Sequence, residues 1–266
     1  MKRLLLSMFF CVMVIPAFAE KIDVTIYVDD AYKPFSFRGK DGKAEGIYIN
    51  VLKTAFSRMK DFNVSIKPIP WKRGKHMMET GEGFGLAPAF YHGHDWEYLY
   101  PYSLAFYTET ITAVCTDKVL ETHRLNWPQD YIDLRIGNVA GYDGWGGTEF
   151  RKLVKQGKIK YEEAKGSAEN ILKLGANRVH CIMMEDTAFD YAYGKLKLSG
   201  QYSQRMARIK KGAIIGVDPV YIGYSKTARK AGKYPFQFDF MQAFDNEIYK
   251  MIKSDEIKEI MSSYQN

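Results

Sequence analysis

The chain has 266 residues, 46% of them hydrophobic and 26% charged. That composition excludes a disordered chain, a collagen-like repeat and a polytopic membrane protein, and the length allows one large domain or two modest ones. The formal net charge is +7, from 38 basic and 31 acidic residues. The excess is scattered rather than gathered into a basic run with interleaved aromatics, which reads as a solvated surface and argues against a nucleic-acid partner.

Lys2 and Arg3 precede an apolar run over residues 4–16, which ends in Ala17-Phe18-Ala19. A short basic region, a short apolar run and a small-residue box together predict a secretory signal peptide over residues 1–19. The run is shorter than the roughly 20 residues of a bilayer span. Cys11 lies inside it, not after the small-residue box where a lipid would attach. The expected location is the periplasm, and two cysteines, Cys115 and Cys181, remain after residue 19.

Residues 22–28 alternate apolar and polar, the period of a strand. Pro34, Gly39, Asp41 and Gly42 mark loop and turn. From Gly46 a helical stripe runs through Tyr48, Val51, Leu52, Ala55, Phe56 and Met59. A strand follows over 63–69, then a short helix over 72–80 stopped at Gly81, then a strand over 86–90. The same alternation returns later, with strands at 135–139, 160–164 and 179–184 and helices at about 148–156 and 168–174. Two such α/β units imply two parallel-stranded layers. The β-rich segments 110–116 and 214–225 lie between them, and a helix carrying Phe240, Phe244, Ile248, Met251 and Ile252 on one face closes the chain. The chain is therefore expected to cross to a second lobe near residue 110 and to return near 218. The lobes are residues 20–109 with 219–266, and residues 110–218.

Four segments carry candidate chemistry. Asp29-Asp30-Ala31-Tyr32-Lys33-Pro34-Phe35 follows the first strand, where open α/β sheets bind ligands. Asp29 is suited to a positive group and Tyr32 to stacking. Gly141-Tyr142-Asp143-Gly144-Trp145-Gly146-Gly147 lies between a strand and a helix, the order that points backbone N–H groups at an anion. It lacks the Gly-Lys-Ser/Thr ending of a nucleotide loop. Glu185 and Asp186 end a strand; one is expected to face the cleft, and Asp186 suits the cap of the helix that follows. In Tyr91-His92-Gly93-His94-Asp95-Trp96-Glu97 the paired histidines have no further ligand motif at diagnostic spacing, so a loop leading into a helix is expected rather than zinc. No Gly-x-Ser-x-Gly occurs. Cys115 and Cys181 sit among apolar neighbours, as inert thiols or, if their strands are adjacent, as a disulfide.

With these residues in place, the chain resembles the bacterial periplasmic solute-binding proteins of the polar amino-acid type, solute-binding family 3, over nearly all of its length after residue 19. The likeness rests on an ordered series. Asp29 to Phe35 resembles the family's first-strand loop. Asp41-Gly42-Lys43-Ala44-Glu45-Gly46-Ile47 resembles its turn into the first helix, and Tyr100-Pro101-Tyr102-Ser103 the segment before the hinge. Ile136-Gly137-Asn138-Val139-Ala140-Gly141 resembles the opening of the second lobe. Val220-Tyr221-Ile222-Gly223-Tyr224-Ser225-Lys226 resembles the return strand, and Phe244 to Ile248 with Ile257 to Met261 the closing helices.

The resemblance implies an α/β fold of the two-lobe periplasmic binding protein type (type II), with two mixed sheets, helices on both faces and a two-strand hinge. It implies capture of a small polar or aromatic solute, an amino acid or amine, for an inner-membrane ABC permease, by a monomer with no cofactor, metal or catalysis. A dehydratase-like enzyme and a ligand-sensing module are the alternatives on the same fold. By position, Asp29 and Tyr32 line the first lobe. Pro88, Ala89, Phe90 and Tyr91 lie at a ligand-contacting strand end, Gly141, Tyr142 and Asp143 at the second lobe's anion turn, and Glu185 at the acid for an amino group. The family's carboxylate-gripping Arg is missing: its position is Trp96, and residues 92–100 contain no Arg. Trp71 is expected in the cleft, and Arg73 is the candidate replacement cation.

Overall fold

The computed structural model describes residues 20–92, 95–142 and 144–264. The expected signal peptide, His94 and Asp143 lie outside the described residues. The first strand, β1 (Ile22–Asp29), turns Val24, Ile26 and Val28 into the core, as its alternation requires. A small antiparallel sheet of β2 (Ala31–Tyr32), β3 (Ser36–Arg38) and β4 (Ala44–Glu45) fills what the sequence suggests is plain loop. Helix α1 (Ile47–Arg58) follows, then β5 (Phe62–Ile69), α2 (Trp71–Glu79) and β6 (Gly85–Ala89). β1 pairs in parallel with both β5 and β6. Residues 95–98 turn into a strand, β7 (Leu99–Tyr102), and not into the expected helix.

The long strand β8 (Tyr107–Thr116) enters the second lobe, followed by the short α3 (Asp117–Leu120). There β9 (Arg135–Val139), α4 (Gly147–Lys155), β10 (Lys160–Ala164), α5 (Ser167–Gly175), β11 (Cys181–Glu185) and α6 (Asp186–Leu198) repeat the α/β alternation. β9 runs parallel to β10 and β11, while β11 is antiparallel to β8. The chain returns on β12 (Ile209–Ser225) and closes with α7 (Lys226–Lys230), α8 (Gln237–Lys253) and α9 (Glu256–Ser262).

β12 joins the two lobes. Its residues up to Val220 pair with β8, and from Tyr221 onward it pairs with β6 and β7. The strand order β10-β9-β11-β8-β12-β6-β1-β5 is thus one mixed path through both sheets. β8 and β12 carry the connection as an antiparallel pair. Behind the first lobe, Phe62 and Phe84 meet Phe240 edge to face, and Phe56 and Phe244 pack tilted against each other, where α1 and α8 meet the sheet. Among the described residues no helix is long and apolar enough to cross a membrane.

Gly46 decides how the first loop docks. It holds φ 124°, and a Cβ there would lie 2.4 Å from the Phe35 carbonyl oxygen. Without a side chain, Ile47 and Tyr48 donate their N–H groups to the Pro34 and Phe35 carbonyls, fixing the loop on the N-terminus of α1.

Cys115 and Cys181 are directly opposite each other on β8 and β11 and form a disulfide. The link spans 66 residues of chain and ties the strand that enters the second lobe to that lobe's centre. Closing a loop of that length restricts the unfolded chain by about 4 kcal/mol on the chain-entropy account. The Cys115→Ala/Cys181→Ala double variant should lose about 2–4 kcal/mol in denaturant unfolding; unchanged stability would show that the link adds nothing.

Candidate functional site

The carboxyl ends of β1, β6 and β9 converge between the lobes, where open α/β sheets place their ligands. Asp29, Tyr32, Trp71, Pro88, Phe90 and Trp96 come from the first lobe; Tyr142, Gly144 and Trp145 come from the second. Together they wall one cavity. The rings fill it almost completely, and only about 20 Å³ stays open to the centre of a water molecule, room for about one water. Tyr32 and Tyr142 meet edge to face at 5.6 Å, Tyr142 and Trp145 at 5.2 Å, and Trp71 and Trp96 at 6.3 Å.

The lobes are shut on one another. The Tyr142 hydroxyl donates to Asp29 Oδ2 at 2.7 Å across the cleft. Asp29 Oδ1 accepts the Ala31 N–H at 2.8 Å, so the loop itself orients the carboxylate. At the rim, Lys72 Nζ meets Glu163 Oε2 at 3.0 Å, Lys75 Nζ donates to the Gly141 carbonyl at 3.0 Å, and Arg151 pairs with Asp95 at 2.8 Å. Gly144 lies so close to His92 that a Cβ there would be 2.4 Å from Nε2.

Asp29 is 3% exposed, and burial pushes its carboxyl up to about 6, against the two hydrogen bonds that favour the anion. Glu109, on β8, is fully buried and lies opposite Asp218 of β12. It accepts the hydroxyls of Tyr32 and Tyr48, both at 2.6 Å. Burial, and then the charge of Glu185, raise it well above the usual carboxylate range. Glu185 is pushed up to about 7, chiefly by burial.

Seven of the sequence-derived candidates meet in the cavity wall: Asp29, Tyr32, Trp71, Pro88, Phe90, Trp96 and Tyr142. Ala89 is buried in β6 opposite Tyr221. Tyr91 turns outward, 59% exposed, against Tyr102. Arg73 lies in a separate groove with Tyr27 and Met77, because α2 turns Trp71, not Arg73, toward the other lobe. At the expected anion turn, the N–H of Gly141 donates to Glu163, so that amide is already engaged. The helix cap goes to Glu185 and not to Asp186: its Oε2 accepts the Ala188 N–H at 2.6 Å, and Glu185 is not part of the cavity wall. Gly144 and Trp145 belong to the candidate Gly141–Gly147 segment but are not singled out there; Glu109 is an addition from the structure, detectable as the one acid in the stretch 107–116 before Asp117. Among the described residues, no group of three or more His, Cys, Asp and Glu is arranged to hold a metal ion.

No protein-family model matches the sequence, and neither does any curated protein. Solved structures do match in fold. The chain is similar to a structure from Streptococcus mutans described for glutathione import via GshT and the cystine ABC importer TcyBC, with TM-score 0.71, 14% identity, and 92% of this chain and 95% of that one covered. It is similar to a histidine kinase sensor domain with similarity to periplasmic binding proteins, with TM-score 0.68, 10% identity and coverages of 91% and 96%. It is also similar to the ancestral amino acid-binding protein AncCDT-1, a precursor of cyclohexadienyl dehydratase, with TM-score 0.63, 17% identity and coverages of 91% and 94%. The chain therefore has the α/β two-lobe periplasmic binding protein fold. At these identities the fold is what is shared, and the cleft chemistry is this chain's own.

Two expected outcomes follow from the geometry. Unfolded carboxyls titrate near 4, whereas Asp29, Glu185 and Glu109 hold their protons to higher pH when folded. The folded state thus binds more protons between pH 4 and 7, and stability falls as pH rises through that window. The melting temperature should be higher at pH 5.5 than at pH 8. Asp29→Asn, whose amide oxygen still accepts the Ala31 N–H and whose NH2 requires Tyr142 to accept instead of donate, should shrink the stability difference between these pH values by about 1 kcal/mol. A melting temperature that climbs from pH 5.5 to 8 would contradict this. The second outcome concerns Gly144→Ala, which places a methyl group against His92 and should disfavour closure by roughly 1–3 kcal/mol. Small-angle scattering should report a larger radius of gyration for the variant; an unchanged radius would show that the ring yields.

Proposed function

We propose that this chain is a non-catalytic solute-binding protein. It captures one small polar or aromatic molecule, an amino acid or amine, between its lobes and passes it to an ABC permease in the inner membrane. The observation that carries the reading is the interlobe cavity, in which the strand ends of both lobes converge on one buried carboxylate and are bridged by the Tyr142–Asp29 hydrogen bond. Residues 107–110 and 218–221, where β8 and β12 pass between the sheets, act as the hinge, and opening them withdraws Tyr142 from Asp29. The neighbours in fold support capture: one is described for import through an ABC importer, and another is an amino acid-binding protein.

The acids favour binding over dehydration. A general base needs an oxygen within reach of the substrate proton. Glu109 has both oxygens taken by phenols, and Glu185 caps α6 outside the cavity wall. Among the described acids Asp29 alone lines the cavity, with both oxygens engaged. The sensor reading draws on the histidine kinase neighbour and differs in the partner, not in the cleft.

Native mass spectrometry of the gently purified protein tests the proposal. One small molecule per chain is expected, recovered chemically unchanged after prolonged incubation. Conversion of that molecule would establish an enzyme, and a chain that carries nothing and takes up nothing from a host extract would overturn capture.

A further inference from the structure

We infer that the solute is an organic cation, carrying an ammonium group and no carboxylate. The inference rests on the capture reading above and narrows it by charge balance. Among the described residues, the cavity wall contains one acid, Asp29, and neither Lys nor Arg. The cations nearest the rim are engaged elsewhere: Lys72 with Glu163, Lys75 with the Gly141 carbonyl, and Arg151 with Asp95. Arg73 faces a different groove. A zwitterionic solute would bring a second carboxylate into a closed space whose described wall residues include no cation, the costliest kind of burial. A solute with one positive charge balances Asp29.

The wall suits such a group. Tyr32, Trp71, Phe90, Trp96 and Trp145 present aromatic surface around the carboxylate, and ring faces attract ammonium groups once water is excluded. One of these rings already does so: the Lys75 ammonium lies 5.0 Å from the centre of Trp96.

Tyr142 occupies the place of the ligand donor. Its hydroxyl satisfies Asp29 Oδ2 from the opposite lobe, and the space left over holds about one water. When the lobes part, Oδ2 loses that donor, and an ammonium N–H takes its place. Trp145 supplies an independent sign of a missing molecule. It is 5% exposed, it lines the same cavity, and its Nε1 has no acceptor. A buried donor without a partner is costly. A single neutral N–H suits a neutral acceptor such as a hydroxyl or carbonyl oxygen, not the two-pronged grip that a carboxylate takes from Arg.

Matched pairs that differ by a carboxylate test this directly. Tyramine and tyrosine, histamine and histidine, and agmatine and arginine are titrated calorimetrically into the wild-type protein after partial unfolding and refolding to strip any carried solute. At least one amine should bind, at least tenfold more tightly than its amino acid, and Asp29→Asn should weaken it at least tenfold. An amino acid that binds as tightly as its amine, an amine indifferent to Asp29→Asn, or no binding by any of the three amines would each overturn the inference. The wild-type comparison stands even if the variant fails to fold. Amino-acid binding in the cleft would leave capture intact, whereas capture itself fails only if no carried or supplied solute binds.

Discussion

A carboxylate buried without a cation organises this molecule. Asp29 sits at the end of the central strand of its lobe, 3% exposed, with only an amide N–H and the Tyr142 hydroxyl for partners. Burying an anion on neutral donors alone is unfavourable, which is why its carboxyl titrates near 6. The closed arrangement thus contains an unmet electrostatic demand at its centre. A solute that meets that demand stabilises the closed form over the open one, and differential affinity of this kind is the only means by which a ligand drives closure.

The rest of the structure positions that carboxylate and the rings around it. Gly46 lets the first loop dock on α1, which fixes the backbone beyond Asp29. Glu109 accepts both Tyr32 and Tyr48, so the strand that carries the chain into the second lobe also holds a ring of the cavity wall. The linking strand β8 and the cleft are thereby joined by a hydrogen bond through Tyr32. The rim contacts Lys72–Glu163 and Arg151–Asp95 are largely solvated and add little energy, but they set the register in which the lobes meet.

Much of the fold is legible in the sequence because burial imposes a period. The alternation before Asp29 and the stripe from Tyr48 to Met59 correspond to β1 and α1 nearly to the residue. The short strands β2, β3, β4 and β7 leave no such trace, since two to four residues are too few to show a period and their pairing is set by tertiary contact. The same division holds in the cleft. Strand ends with aromatic and acidic residues stand out, and seven of the candidates line one cavity. What a short helix faces is not readable: Trp71 and Arg73 are two residues apart on α2 and turn to different sides. The pairing of Cys115 with Cys181 depends on strand register, and the choice of Glu185 over Asp186 as the cap depends on a helix boundary one residue earlier than the periodicity suggests.

The central claim is that closure buries Asp29 on a phenol from the other lobe. A carboxyl ¹³C NMR titration of Asp29 in the solute-free protein measures this most directly. The account predicts a midpoint near 6, displaced upward in Tyr142→Phe, where the hydroxyl that favours the anion is gone. A midpoint near the ordinary aspartate value of about 4, unmoved by Tyr142→Phe, would contradict it.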